Sequence, residues 1–146
     1  MFYSVIEAAE RREKRLPRAP EQDYNQEHFP MGRVVALMDD LFFQMKVAET
    51  AKHLGVELKV AANADALLAL LEPAPKLVIV DLNSRSQPME AIRRVRAEKN
   101  GIPVIGFLSH VQAELAAEAR AAGCGEVMPR SKFTQNLPAI LSCARD

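Results

Sequence analysis

The sequence contains no tryptophan, only two cysteines and three histidines among 146 residues, and no surplus charge of either sign, with 19 basic residues against 19 acidic. Each shortage removes a class of function. Cys124 and Cys143 are too few for a disulfide framework, and they form no metal-ligand cluster with the scattered histidines. Both are expected to be small core or near-surface residues. Zero net charge provides no global field toward nucleic acid or an anionic membrane. No aliphatic run approaches the length of a membrane span, and the N-terminus lacks the basic-then-apolar layout of a signal peptide. Cytoplasm is therefore the expected location, with neither nucleic acid nor membrane as a partner. What remains is ordinary globular material, 49% apolar and 26% charged, enough for one domain with a proper core.

The most informative stretch is 77–83 (LVIVDLN). Its aliphatic run reads as a strand buried on both faces, as in the middle of a parallel sheet. It stops at Asp81, and in open α/β sheets the chemistry lies outside the carboxyl ends of the strands.

From residue 33 onward strands and helices alternate. Strands are expected at 33–38, 58–61, 76–81, 102–108 and 126–129. Leu41, Met45, Ala48 and Leu54 recur at helical spacing over 41–54, with Gly55 as the C-cap. A second helix carries Leu67, Leu68, Leu70 and Leu71, capped by Asn63 or Asp65 and ended by Pro73 and Pro75. A third has Met89, Ile92 and Val95 inward and Arg93, Arg94 and Arg96 mostly outward, as a solvated face. Ser109 is expected to cap the fourth, 112–122, which Gly123 closes, and Pro138 opens a final helix. Short connections and alternating elements predict a doubly wound, flavodoxin-like five-stranded parallel sheet of order 2-1-3-4-5, with helices on both faces.

Residues 1–30 differ from this pattern. Val5, Ile6 and Ala9 can share one side of a short helix over 2–16, followed by Arg11, Arg12, Lys14 and Arg15. Pro17 and Pro20 end it, and 21–30 is a polar connector. The segment reads as a loosely attached arm, as a docking helix for a partner, or as an extension upstream of a start at Met31. The folded domain is expected over 31–146.

Order 2-1-3-4-5 makes strands one and three neighbours, so Asp39 and Asp40 come to lie beside Asp81. Carboxylates gathered this way repel unless a cation sits among them, and hard oxygen ligands suit Mg²⁺. The backbone carbonyl of Asn83 is a further candidate ligand. The plainer reading is that Asp39 and Asp40 cap the first helix, which accounts for one acid better than for both. Phe42 and Phe43 are read as one core residue and one partner of the neighbouring loop. His110 is read as a loop residue.

These residues together resemble the receiver domains of two-component response regulators, over Gly32 to the C-terminus. Asp39 and Asp40 match the acidic pair after strand one, 60–71 (VAANADALLALL) the second strand and helix, 102–105 (IPVI) the start of strand four, and 122–130 (AGCGEVMPR) the strand-five segment. The resemblance makes Asp81 the acceptor of a phosphoryl group from a histidine kinase or phosphotransfer protein, with Asp40 and Asp81 as direct Mg²⁺ ligands, Asp39 acting through water, and the Asn83 carbonyl completing the site. It implies a downstream protein partner, no enzymatic activity, and a monomer or weak dimer paired through helix four, strand five and the final helix.

The departures are specific. Arg130 stands at the family's lysine position, and a planar fork in place of a point charge can grip Asp39 or Asp81 and hold the pocket closed. Leu108 falls at the switch Ser/Thr position, with Ser109 one residue later. Val127 occupies the aromatic switch position. Two readings follow: a stand-alone phosphorelay receiver with an altered switch, or a pseudo-receiver that binds partners without phosphorylation. An enzyme on the same fold fits poorly. Flavin needs a phosphate-binding loop after strand one, a haloacid-dehalogenase phosphatase needs its two aspartates one residue apart, and the cobalamin motif is absent.

Overall fold

The computed structural model describes residues 32–109 and 112–145. The expected N-terminal arm and His110 lie outside the described residues. Five parallel strands, β1 (Gly32–Leu37), β2 (Val56–Ala61), β3 (Leu77–Asp81), β4 (Val104–Leu108) and β5 (Glu126–Pro129), form one sheet of order β2-β1-β3-β4-β5. The register pairs Leu37 with Val80 and Asp81 with Phe107. The residues after β1 are thereby delivered to the mouth beside Asp81.

Alternate strand residues feed two cores, as the two-residue period of a strand requires. Val35, Leu37, Val78 and Val80 face α2 (Ala64–Ala69), α3 (Pro88–Glu98) and α4 (Ala113–Ala122), where Leu67, Ile92, Val95 and Ala119 are buried. Val34, Ala36, Ile79 and Phe107 face α1 (Leu41–Leu54), α5 (Arg130–Gln135) and α6 (Leu137–Ser142), where Phe43, Val47, Phe133 and Leu141 are buried. Fully burying such side chains stabilises by about 1.5–3 kcal/mol each, so a sheet covered on both faces supplies most of the stability.

Several expectations need correction. In α1 the buried stripe is Phe43, Val47 and Ala51; Leu41, Met45 and Ala48 face water. Of Phe42 and Phe43, the second is the expected core residue, while Phe42, left for the role of loop partner, is exposed. Ser109 does not cap α4: Gln112 holds the cap position without a side-chain bond. The expected final helix is present as α6 with Pro138 in its first turn, but an additional short helix, α5, starts at Arg130 directly after β5. Arg96 is not part of a solvated face. It donates to the carbonyls of Gly123, Asn100 and Ile102, each at 2.7 Å, and ties the end of α3 to the turn before β5. Asn63 is the cap of α2, accepting from the Ala66 amide at 2.8 Å, while Asp65 pairs with Arg94. Gly55 ends α1 in the left-handed conformation, φ 74°, as expected.

Candidate acid site at the strand ends

Asp81 ends β3 and is 3% exposed. Its Oδ1 accepts the Asn83 amide at 2.9 Å, a local turn that aims the carboxylate outward from the strand end. Burial pushes its pKa up, and neither the Asn83 N–H nor the Arg130 charge reverses that. Asp40 has two tasks. One oxygen accepts the Phe43 amide at 3.1 Å and caps α1; the other accepts Arg130 Nη1 at 3.2 Å. Both contacts favour its charged form, the Phe43 N–H most, and hold its pKa below the usual value. Asp39 is exposed and accepts the Arg85 amide at 3.0 Å. The plainer capping reading thus describes Asp40 and not Asp39.

Arg130 is the cation at the centre. Its Nη1 lies 3.2 Å from Asp40 Oδ2 and its Nη2 3.6 Å from Asp81 Oδ2. The fork therefore spans Asp40 and Asp81, where the expectation paired it with Asp39 or Asp81. Below it lies an aromatic floor. The guanidinium carbon is 4.5 Å from the Phe43 ring centre and 5.5 Å from that of Phe107. Those rings lie 5.2 Å apart, and Phe107 stacks on Phe133 at 4.7 Å. An arginine can stack on a ring and bridge two carboxylates at once; a lysine ammonium is a single point.

Asn83 closes the other side of the mouth with its side chain. Its Oδ1 accepts the Ser109 amide at 2.6 Å, and its Nδ2 donates to Gln112 Oε1 at 3.0 Å. Leu108 is buried at the end of β4 and offers no hydroxyl. Half-buried Val127 lines, with Leu108, a cleft of about 140 Å³ between β5 and α4.

The structure brings together Asp40, Asp81 and Arg130, sets Asp39 at the rim, and places Asn83 and Ser109 in contact across the loops. Phe43, Phe107, Arg85 and Gln112 were not anticipated. For Phe43 a signal existed: an aromatic three residues after Asp40 on a helix pointing at the same sheet end. The carboxylates are hard oxygen donors of the kind Mg²⁺ takes, but Arg130 already bridges two of them. Among the described residues no three Asp, Glu, His or Cys side chains are grouped to hold a metal ion. In this arrangement the site fits a guanidinium better than a metal.

No family model and no curated protein matches the chain. Solved structures do. The receiver domain of NtrX from Brucella abortus superposes with a TM-score of 0.65 at 22% identity, over 77% of this chain and 97% of that one. A chemotaxis response regulator of Vibrio cholerae gives 0.66 at 23% identity, over 76% and 96%. A longer NtrX structure, in complex with ADP, gives 0.67 at 21% identity over 78% of this chain; the match spans 26% of that protein's length. With the sheet order and the acids at the ends of β1 and β3, these likenesses establish that the chain has the receiver-domain fold of response regulators.

Proposed function

We propose that this protein is a signalling module of the two-component type that acts by binding a protein partner, with its acid site held closed by Arg130 in place of a metal ion. The observation that carries the reading is the fork from Arg130 to Asp40 and Asp81 over the Phe43 ring. A cation already bridges the two acids, and the positions that would announce a phosphoryl group hold Leu108 and Val127. On this reading the protein is a cytoplasmic, non-enzymatic module that contacts neither nucleic acid nor membrane. It is monomeric, or weakly paired through α4, β5 and the last helices, and its output passes through a downstream protein.

The second reading keeps Asp81 as the phosphoacceptor of a histidine kinase or phosphotransfer protein, with Mg²⁺ at Asp40, Asp81 and the Asn83 carbonyl. The placement of Asp81 at the end of β3, with Asp39 and Asp40 at the adjacent strand end, favours it.

One experiment separates the two. The protein and Arg130→Ala are titrated with Mg²⁺ and treated with beryllofluoride or acetyl phosphate, followed by amide NMR and intact mass. The closed-site reading expects no phosphoryl mass and weak Mg²⁺ response in the parent protein. In Arg130→Ala, Mg²⁺ should bind about tenfold or more tightly, the factor expected if the open site is populated about a tenth of the time. Phosphoryl mass on the parent protein, absent from Asp81→Asn, would overturn it in favour of the phosphoacceptor.

A further inference from the structure

Helix α1 carries two apolar stripes. Phe43, Val47 and Ala51 meet the sheet. On the opposite side Leu41, Phe42 and Met45 are 70%, 86% and 66% exposed. Single exposed apolar residues are ordinary, but three large ones within five positions make a patch that calls for a cover. The patch is bounded. Further along the same face Glu49, Lys52 and His53 are exposed and polar, so the apolar surface ends after two turns, at the end of α1 nearest the acid site.

The chain itself supplies a matching segment. Residues 1–31 precede the described ones, and there Phe2, Val5, Ile6 and Ala9 recur at helical spacing, followed by Arg11, Arg12, Lys14 and Arg15. Reach is sufficient. Gly32 starts β1 at the far end of the sheet, roughly 20 Å along the strand from the acid site. Residues 17–31 can extend to about 50 Å, and Pro17, Pro20 and Pro30 disfavour a compact helical path. Two exposed carboxylates border the patch, Asp39 beside it and Glu49 on its far side, with Lys46 and Lys52 exposed on the same helix.

We propose that residues 2–16 of this chain lie across the Leu41, Phe42 and Met45 face of α1, with Phe2, Val5 and Ile6 against those side chains and the basic cluster over Asp39 and Glu49. Tethering gives such a segment an effective concentration in the millimolar range, so modest intrinsic affinity suffices. The arm then flanks the acid site, and a partner that uses α1 must first displace it. The contact is independent of whether Asp81 accepts a phosphoryl group.

The test uses the full chain. A nitroxide is attached at Ser4→Cys in a Cys143→Ser background; Cys124 is buried and escapes labelling. The expected result is loss of amide NMR signal over 41–48, unchanged on dilution. It should be abolished by Met45→Glu, a surface change that leaves core resonances in place. In a mixture of isotope-labelled chains without nitroxide and spin-labelled chains without isotope, no loss should occur. Undiminished signals over 41–48, or losses confined to another surface, would overturn the proposal. Loss that appears in the mixture would overturn it too, assigning the patch to a second copy of the chain.

Discussion

A guanidinium at position 130 touches two carboxylates and two aromatic rings at once, and each contact asks for a different property of arginine. The fork needs planarity, the rings need a weakly hydrated cation, and the buried Asp81 needs a charge that never titrates. Phe43→Leu should therefore loosen the fork as well as the core. Beyond its packing cost it removes a cation–π contact of about 0.5–1 kcal/mol, and it should strengthen the Mg²⁺ response in the same titration. An unchanged response would mean that the rings do not hold Arg130. Asp81 yields a prediction with a definite sign. Burial raises its folded-state pKa above the unfolded value of about 3.9. The folded state thus holds the proton more tightly, and this contribution to stability is full below the unfolded pKa and lost as pH rises through the folded one. Asp81→Asn should be the more stable protein at neutral pH, and the advantage should shrink as pH falls through the carboxylate range. Urea denaturation at several pH values measures it; a gap that does not vary with pH would count against the burial argument. Asp40, whose pKa is lowered, contributes in the opposite sense, stabilising above its unfolded pKa and losing that effect in acid.

At the level of elements, Arg96 is the side chain whose role differs most from expectation. It carries the charge of a surface residue, yet it ends in three backbone carbonyls and lies against Gly123. A Cβ added at Gly123 would collide with the Arg96 stem, and its φ of 124° disfavours other residues in any case. Arg96→Leu keeps most of the stem and strands those carbonyls, so it should cost about 2 kcal/mol, read as a lower urea midpoint with an unchanged slope. A midpoint within error of the parent would show that water replaces the guanidinium. The same scale explains what could be read from sequence. β1 and β3 were visible because strands buried on both faces are continuous apolar runs. The ends of α1 were visible because Asp40 and Gly55 are caps. Its inward face was not, since the helix offers two apolar stripes and periodicity cannot rank them. The choice is made by Phe107 and Phe133, more than sixty residues away in sequence, which receive Phe43 and leave Leu41 and Met45 outside. The start of α5 was hidden for a similar reason: 130–135 has little periodicity of its own, and Phe133 anchors it in the core.

For the whole molecule, the strand order was enough to gather Asp39, Asp40 and Asp81, because topology alone sets which strand ends adjoin. It could not show which acid Arg130 would choose, a question of side-chain reach across α1 and α5. The same order predicts how stability is distributed. β1, β3 and β4 have a hydrogen-bonded strand on each side and core on both faces, whereas β2 and β5 are edges with partly exposed residues. Amides in the centre of a sheet exchange with solvent only when the whole domain opens, while edge amides exchange through smaller local openings. The amides of Val35, Ala36, Val78 and Ile79 should therefore report the global unfolding free energy in native-state hydrogen exchange. Those of Lys59 and Val60 in β2 and Val127 in β5 should exchange from lower-energy openings. Added urea should accelerate the central amides steeply and the edge amides weakly, because only global opening exposes most of the surface. A uniform urea dependence across all five strands would mean that the sheet opens as one unit. The acid site would then not be framed by a rigid centre and yielding edges. The expected gradient instead leaves Asp81 on the most stable strand, with the exposed edge of β2 free to adapt to a partner.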